Sequence, residues 1–85
     1  MKRTEFPSED LNMGAFHLYR GDLDRAEARF ARAISTSQGA YYEPYANLAA
    51  ALFKQGRQSE ARACYAIVLE DDPENAAARA RVSNR

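Results

Sequence analysis

The sequence predicts an all-α fold, an array of antiparallel helix hairpins with five helices, and three observations carry that reading. The first is self-similarity at an offset of 35 residues: Asn12, Ala15, Gly21, Ala26, Ala28 and Ala31 recur as Asn47, Ala50, Gly56, Ala61, Ala63 and Ala66. Between them Met13 is matched by Leu48, Leu18 by Phe53, Phe30 by Tyr65, Ala33 by Val68 and Ile34 by Leu69. A period this long, filled with helix formers, marks a unit that buries its apolar face against copies of itself. The second observation is apolar spacing of three and four residues throughout, with no strand signal. The third is punctuation: Gly21 and Gly56 stand where helices should stop, Pro44 and Pro73 where they should start.

Residues 1–7 read as a short disordered lead. Ser8, followed by Glu9 and Asp10, offers a hydroxyl cap and two acids for the positive end of a helix dipole, so the first helix starts there. Leu11, Ala15, Leu18 and Tyr19 form its stripe, with Gly14 on an adjoining face. Asp22 caps a second helix carrying Leu23, Ala26, Phe30, Ala33 and Ile34. It fades near Ser35–Ser37, where hydroxyls compete for the backbone.

Residues 38–43 are the connector. Pro44 suits the first turn of a third helix because it has no amide hydrogen to leave unpaired there. That helix carries Tyr45, Leu48, Ala49, Leu52 and Phe53 and ends at Gly56. A fourth runs from about Gln58 to Glu70, with Ala61, Cys64, Tyr65, Val68 and Leu69 inward. Asp72-Pro73-Glu74 reads as a cap, a first-turn proline and a first-turn acid opening a fifth helix. Ala76, Ala77, Ala78 and Ala80 propagate it, and Arg79, Arg81 and Arg85 lie toward its negative end. The domain is therefore a single unit over 8–85: repeat one about 8–41, repeat two about 42–75, and a capping helix about 73–83.

Composition narrows the function classes. Twelve basic and twelve acidic side chains cancel, so no single-sign field draws the chain to nucleic acid or an anionic membrane. No segment approaches a membrane span, and Lys2-Arg3 is not followed by the apolar run of a signal peptide. Cytoplasmic residence is the default expectation. The single cysteine, Cys64, forms no internal disulfide and reads as a small core residue without an activating acid or base. His17 has no second histidine beside it and reads as a packed side chain. No phosphate loop, metal cluster or paired-carboxylate motif stands out. The chain is expected to be no enzyme and to use no cofactor or metal. Its alanine- and arginine-rich helices suggest a bacterial origin.

Met13-Gly14, Gly21, Ala26, Phe30 and Ala33 in the first copy, with Tyr45, Leu48-Ala49, Gly56, Ala61, Tyr65, Val68 and Pro73 in the second, resemble the tetratricopeptide repeat. The resemblance covers residues 8 to 85 and implies a right-handed superhelical stack of hairpins. It implies that Gly14 and Ala49 allow close helix approach, that Ala26 and Ala61 face them, and that Phe30 and Tyr65 fill the space between repeats. The chain departs from the pattern at Asp10, where an aromatic is usual, and at His17, where a tyrosine is usual. Gln38 stands where a closing proline is expected, and the connector is one residue longer. These departures predict a looser first helix and an altered angle between repeats.

The resemblance further implies a concave groove lined by the first helix of each hairpin, receiving a peptide or helix of a protein partner. Its lining would be Ser8, Leu11, Asn12, Ala15, Leu18 and Tyr19, then Glu43, Ala46, Asn47, Ala50, Phe53 and Lys54, then Ala77, Ala80 and Arg81. Leu11, Leu18, Tyr19 and Phe53, on a face not needed for helix pairing, would make it apolar; the alternative is that neighbouring helices partly cover them. Asn12 and Asn47 are repeat-equivalent, either placed to bond a ligand backbone or ordinary solvated amides.

Some relatives grip a C-terminal carboxylate with lysines, asparagines and an arginine. Asn47 and Arg81 occupy such positions, but Leu11, Ala15 and Ala77 replace the others, so that ligand is not expected. Tyr45 reads as core, while Tyr41 and Tyr42 read as either an interface cluster or a clasp over the connector.

The expected function is a protein–protein interaction module, an adaptor or co-chaperone. The alternative is self-assembly: two repeats are few, and exposed repeat faces would mediate homo-oligomerisation or helix swapping.

Overall fold

The computed structural model describes residues 6–83, and these form five helices and no strand: α1 (Ser8–Tyr19), α2 (Leu23–Ser37), α3 (Glu43–Lys54), α4 (Gln58–Asp71) and α5 (Ala76–Ser83). Arg85 and most of the expected lead lie outside the described residues. Phe6 and Pro7 lie inside and are packed: the Phe6 ring meets Tyr41 edge-on at 4.9 Å, and Pro7 is buried.

Two helix starts differ from expectation. The cap position of α1 is Pro7, with no side-chain cap; Ser8 is already helical and exposed. The buried proline, with its restricted φ, sets the helix entrance one residue earlier. Glu9 and Asp10 do lie in the first turn. At α5 the capping acceptor is Asn75, whose Oδ1 accepts the Ala78 amide at 3.0 Å, rather than Asp72. Residues 72–75 instead form a turn in which the Asn75 amide donates to the Asp72 carbonyl at 3.0 Å, so α5 begins at Ala76 and not at Pro73. The other two signals stand where expected: Asp22 accepts the Arg25 amide at 3.4 Å, and Pro44 is buried in the first turn of α3.

Packing follows chain order: α1 against α2, α2 against α3, α3 against α4 and α4 against α5, with a smaller contact between α1 and α3. Gly21 (φ 80°) and Gly56 (φ 83°) make the turns within the hairpins in a left-handed conformation that other residues enter at a cost. Two apolar clusters result. Ala26, Phe30 and Ala51 form one, with Leu11 and Leu18 packed on it; Ala49, Leu52, Ala61, Tyr65, Val68 and Ala78 form the other. Leu48 packs against both. Within the first hairpin the Phe30 ring lies directly on Gly14. Its repeat-equivalents, Tyr65 and Ala49, share the second cluster.

Polar ties account for two of the sequence departures. Asp10 accepts Arg29 Nη1 at 2.9 Å and lies 3.6 Å from Arg32 Nε, joining α1 to α2 where an aromatic would otherwise pack. At the longer connector Gln38 takes a left-handed φ of 56°, and the Gly39 amide donates back to Ile34 at 3.0 Å. The buried Ser37 hydroxyl donates to the Ala33 carbonyl at 2.9 Å, so its burial leaves no orphan. Between repeats, Glu27 of α2 accepts from Arg57 Nη1 at 2.8 Å and Gln55 Nε2 at 3.0 Å. Arg57 also holds Glu60 at 2.8 Å; in repeat one the equivalent pair is Asp22 and Arg25 at 3.5 Å, with the charges exchanged.

Candidate functional site: the face of α1, α3 and α5

Residues at three- and four-residue spacing share one side of a helix, and α1 and α3 each have their hairpin partner, α2 and α4, against another side. From α1, Asn12, Ala15 and Tyr19 are exposed, and Tyr19, at 91%, is the most open of the large hydrophobic side chains among the described residues. From α3, Ala46, Asn47, Ala50 and Phe53 are half-buried and Lys54 is exposed. Arg81 of α5 is half-buried, with its guanidinium carbon 3.9 Å above the centre of the Phe53 ring. This contact brings together two of the sequence-predicted groove residues, one from α3 and one from α5. A guanidinium over an aromatic ring gains from the ring's negative face.

Of Leu11, Leu18, Tyr19 and Phe53, expected on a face free of helix pairing, Tyr19 is exposed and the other three are not. Leu11 and Leu18 are half-buried against the Phe30 cluster, and Phe53 packs on the second cluster. The reason is geometric: the cluster they pack on joins Ala26 and Phe30 of the hairpin partner α2 to Ala51 of α3, so both leucines are used in closing the first hairpin and its junction with the second. Of the predicted lining, Asn12, Ala15, Tyr19 and Lys54 are thus exposed and the apolar Leu11, Leu18 and Phe53 are half-buried. The repeat-equivalent amides differ likewise, Asn12 exposed and Asn47 half-buried.

The ionisable groups elsewhere are tuned by packing rather than for chemistry. Burial pushes the Cys64 thiol up, and the Glu60 charge adds to this, so little thiolate forms at neutral pH. The Tyr42 phenol is raised chiefly by the Asp72 charge, then by burial and Glu43. Its side chain packs on the second cluster, while Tyr41 meets Phe6, so the two tyrosines act as clasps on different partners. Hydrogen bonds from Arg57 hold the Glu60 carboxyl below its usual range. Among the described residues no group of three or more His, Cys, Asp or Glu side chains is placed to hold a metal, and no helix is long and apolar enough to cross a membrane.

Sequence reasoning passed over one surface. On the first hairpin, Phe16, His17, Arg20, Asp22 and Arg25 line an open hollow of about 410 Å³; an adjoining one of about 290 Å³ is lined by His17, Arg25, Ala28, Arg29 and Arg32. Phe16 is 51% exposed, whereas its repeat-equivalent Ala51 is fully buried under the first repeat. That equivalence, and the four- and three-residue spacing of Arg25, Arg29 and Arg32, were the available signals.

A family model described as the tetratricopeptide repeat matches residues 17–82. No curated protein matches the chain. With most of its length covered by that model and folded as two helix hairpins and a closing helix, the chain belongs to the tetratricopeptide repeat family, whose members are protein-interaction modules.

Proposed function

We propose that the chain is a small adaptor or co-chaperone that binds a peptide or helix of a protein partner along the α1–α3–α5 face. The observation that supports this reading is the Arg81 guanidinium over the half-buried Phe53 ring at 3.9 Å, an apolar group and a multiple N–H donor side by side. A segment with one apolar anchor and a backbone carbonyl or carboxylate near it suits such a pair. Asn47 and Ala50 would flank the anchor, and Asn12, Ala15, Tyr19 and Lys54 would form the rim.

The test is selection from a displayed peptide library, followed by titration of the selected peptides into Tyr19→Ala and Lys54→Ala. Both positions are exposed, so the fold stays intact. Weaker binding to both variants is expected; unchanged binding to both would move the ligand off this face. Alanine at Leu18 or Phe53 is a poor probe because each also packs on a core cluster.

A second reading, self-assembly through exposed repeat faces, is favoured by Phe16. An aromatic stands open at the position that repeat two buries under repeat one.

A further inference from the structure

We infer that the outer surface of the first hairpin docks the α4–α5 turn of a second copy of this chain, an electrostatic head-to-tail contact that specifies the self-assembly reading. The receiving surface is the pair of adjoining hollows described above. Arg25, Arg29 and Arg32 recur at four- and three-residue spacing, which brings them onto one face of α2; His17 and Arg20 adjoin from α1 and the turn after it. Of these, Arg29 and Arg32 pair with Asp10 and Arg25 with Asp22, while Arg20 lies over the Phe16 ring at 5.6 Å. Two of those contacts are long, 3.5 Å for Arg25 and 3.6 Å for Arg32, and the two side chains are 75% and 70% exposed. Most guanidinium donors of both residues therefore remain for an incoming carboxylate, which they can grip by two parallel bonds.

The complementary group is in the chain itself. Glu70, Asp71, Asp72 and Glu74 crowd the end of α4 and the turn after it. The last turn of α4 contains no basic residue, so Glu70 and Asp71 face the negative end of their own helix dipole without compensation. Both are exposed, and among the described residues neither forms an ion pair; Glu74 reaches only Arg79, at 3.2 Å. A local rule broken at an exposed helix end is relieved if cations arrive from outside.

The same net charge of zero that removes any long-range field also removes the repulsion that would keep copies apart. Packing in chain order places the first hairpin and the α4–α5 turn in different repeats, so one contact leaves a free surface of each kind. Association is then heterologous and continues beyond a dimer unless a ring closes.

The experiment is weight-average mass by sedimentation over a hundredfold concentration range, at about 0.02 M and about 0.5 M salt, which differ several-fold in screening length. The expected result is a mass that rises about twofold or more above 9.5 kDa at low salt and returns to the monomer at high salt. Two variants then assign the surfaces: Arg25→Glu with Arg32→Glu, and Glu70→Lys with Asp71→Lys. Each alone should stay monomeric, and an equimolar mixture should regain association, because each now offers the partner's missing charge. Recovery in the mixture also shows that both variants are folded; Arg25→Gln with Arg32→Gln is the milder control.

A parent chain that stays monomeric at low salt would overturn both this contact and the self-assembly reading. Growth indifferent to salt and to both charge reversals would overturn this contact alone, leaving the Phe16 face or a helix exchange as the route.

Discussion

The Phe30 ring occupies the space where any residue but glycine at position 14 would place its first side-chain carbon, which would overlap three ring atoms. Gly14→Ala therefore sets two effects against each other. Alanine favours a helix over glycine by up to about 1 kcal/mol. Overpacking a buried ring costs about 1–3 kcal/mol. The expected outcome in urea unfolding is a net loss of stability, with part of it recovered when Phe30→Leu is added. A net gain would mean that the ring swings aside without cost.

Gln38 holds a left-handed φ of 56° at the end of α2, where glycine is the residue of least strain. Gln38→Gly should stabilise the chain by about 0.5–1 kcal/mol. Thermal unfolding reads this directly, and Gln38→Val should move the midpoint in the opposite direction.

Asn75 accepts the Ala78 amide and so starts α5. Asn75→Ala should cost about 0.5–2 kcal/mol and raise amide exchange along α5. Ser8→Ala should cost close to nothing, since Ser8 makes no cap. Equal losses for the two would reverse the assignment of caps.

These two caps show what local sequence conveys and what it does not. The turns at Gly21 and Gly56, the first-turn Pro44 and the Tyr65–Val68 stripe were legible, because each follows from a residue type in a helical frame. Ser8 and Asp72 misled because the choice between adjacent capping residues is made by tertiary packing: Pro7 is buried, and Asp72 is turned toward Tyr42. The candidate face was legible to the same degree. Of the lining that the family resemblance implies, Asn12, Tyr19 and Lys54 are exposed, but Leu11 and Leu18 pack on the cluster of Ala26, Phe30 and Ala51, contacts that no one-helix pattern contains. The Asp10–Arg29 tie, nineteen positions apart, was likewise invisible until the hairpin closed.

The Tyr42 phenol is held above its ordinary value of 10.0, first by the Asp72 charge. A raised folded-state pKa means that the folded chain keeps this proton longer than the unfolded chain. The associated stability is complete below pH about 10 and is lost as pH rises through the folded value. Phenolate absorbance, with Tyr42→Phe as the subtraction, should show Tyr42 ionising at lower pH in Asp72→Asn. An unchanged titration would assign the shift to burial.

Leu48 touches both apolar clusters, and from the same helix Ala51 enters one while Ala49 and Leu52 enter the other. One twelve-residue segment is thus the common wall of two rooms. Neither half can dissolve on its own without opening that wall to water on one side. Breathing motions should begin at the outer helices and die away toward the centre, with the amides of α3 among the last to exchange. A two-repeat molecule built in this way melts as one body, although its sequence is written as two.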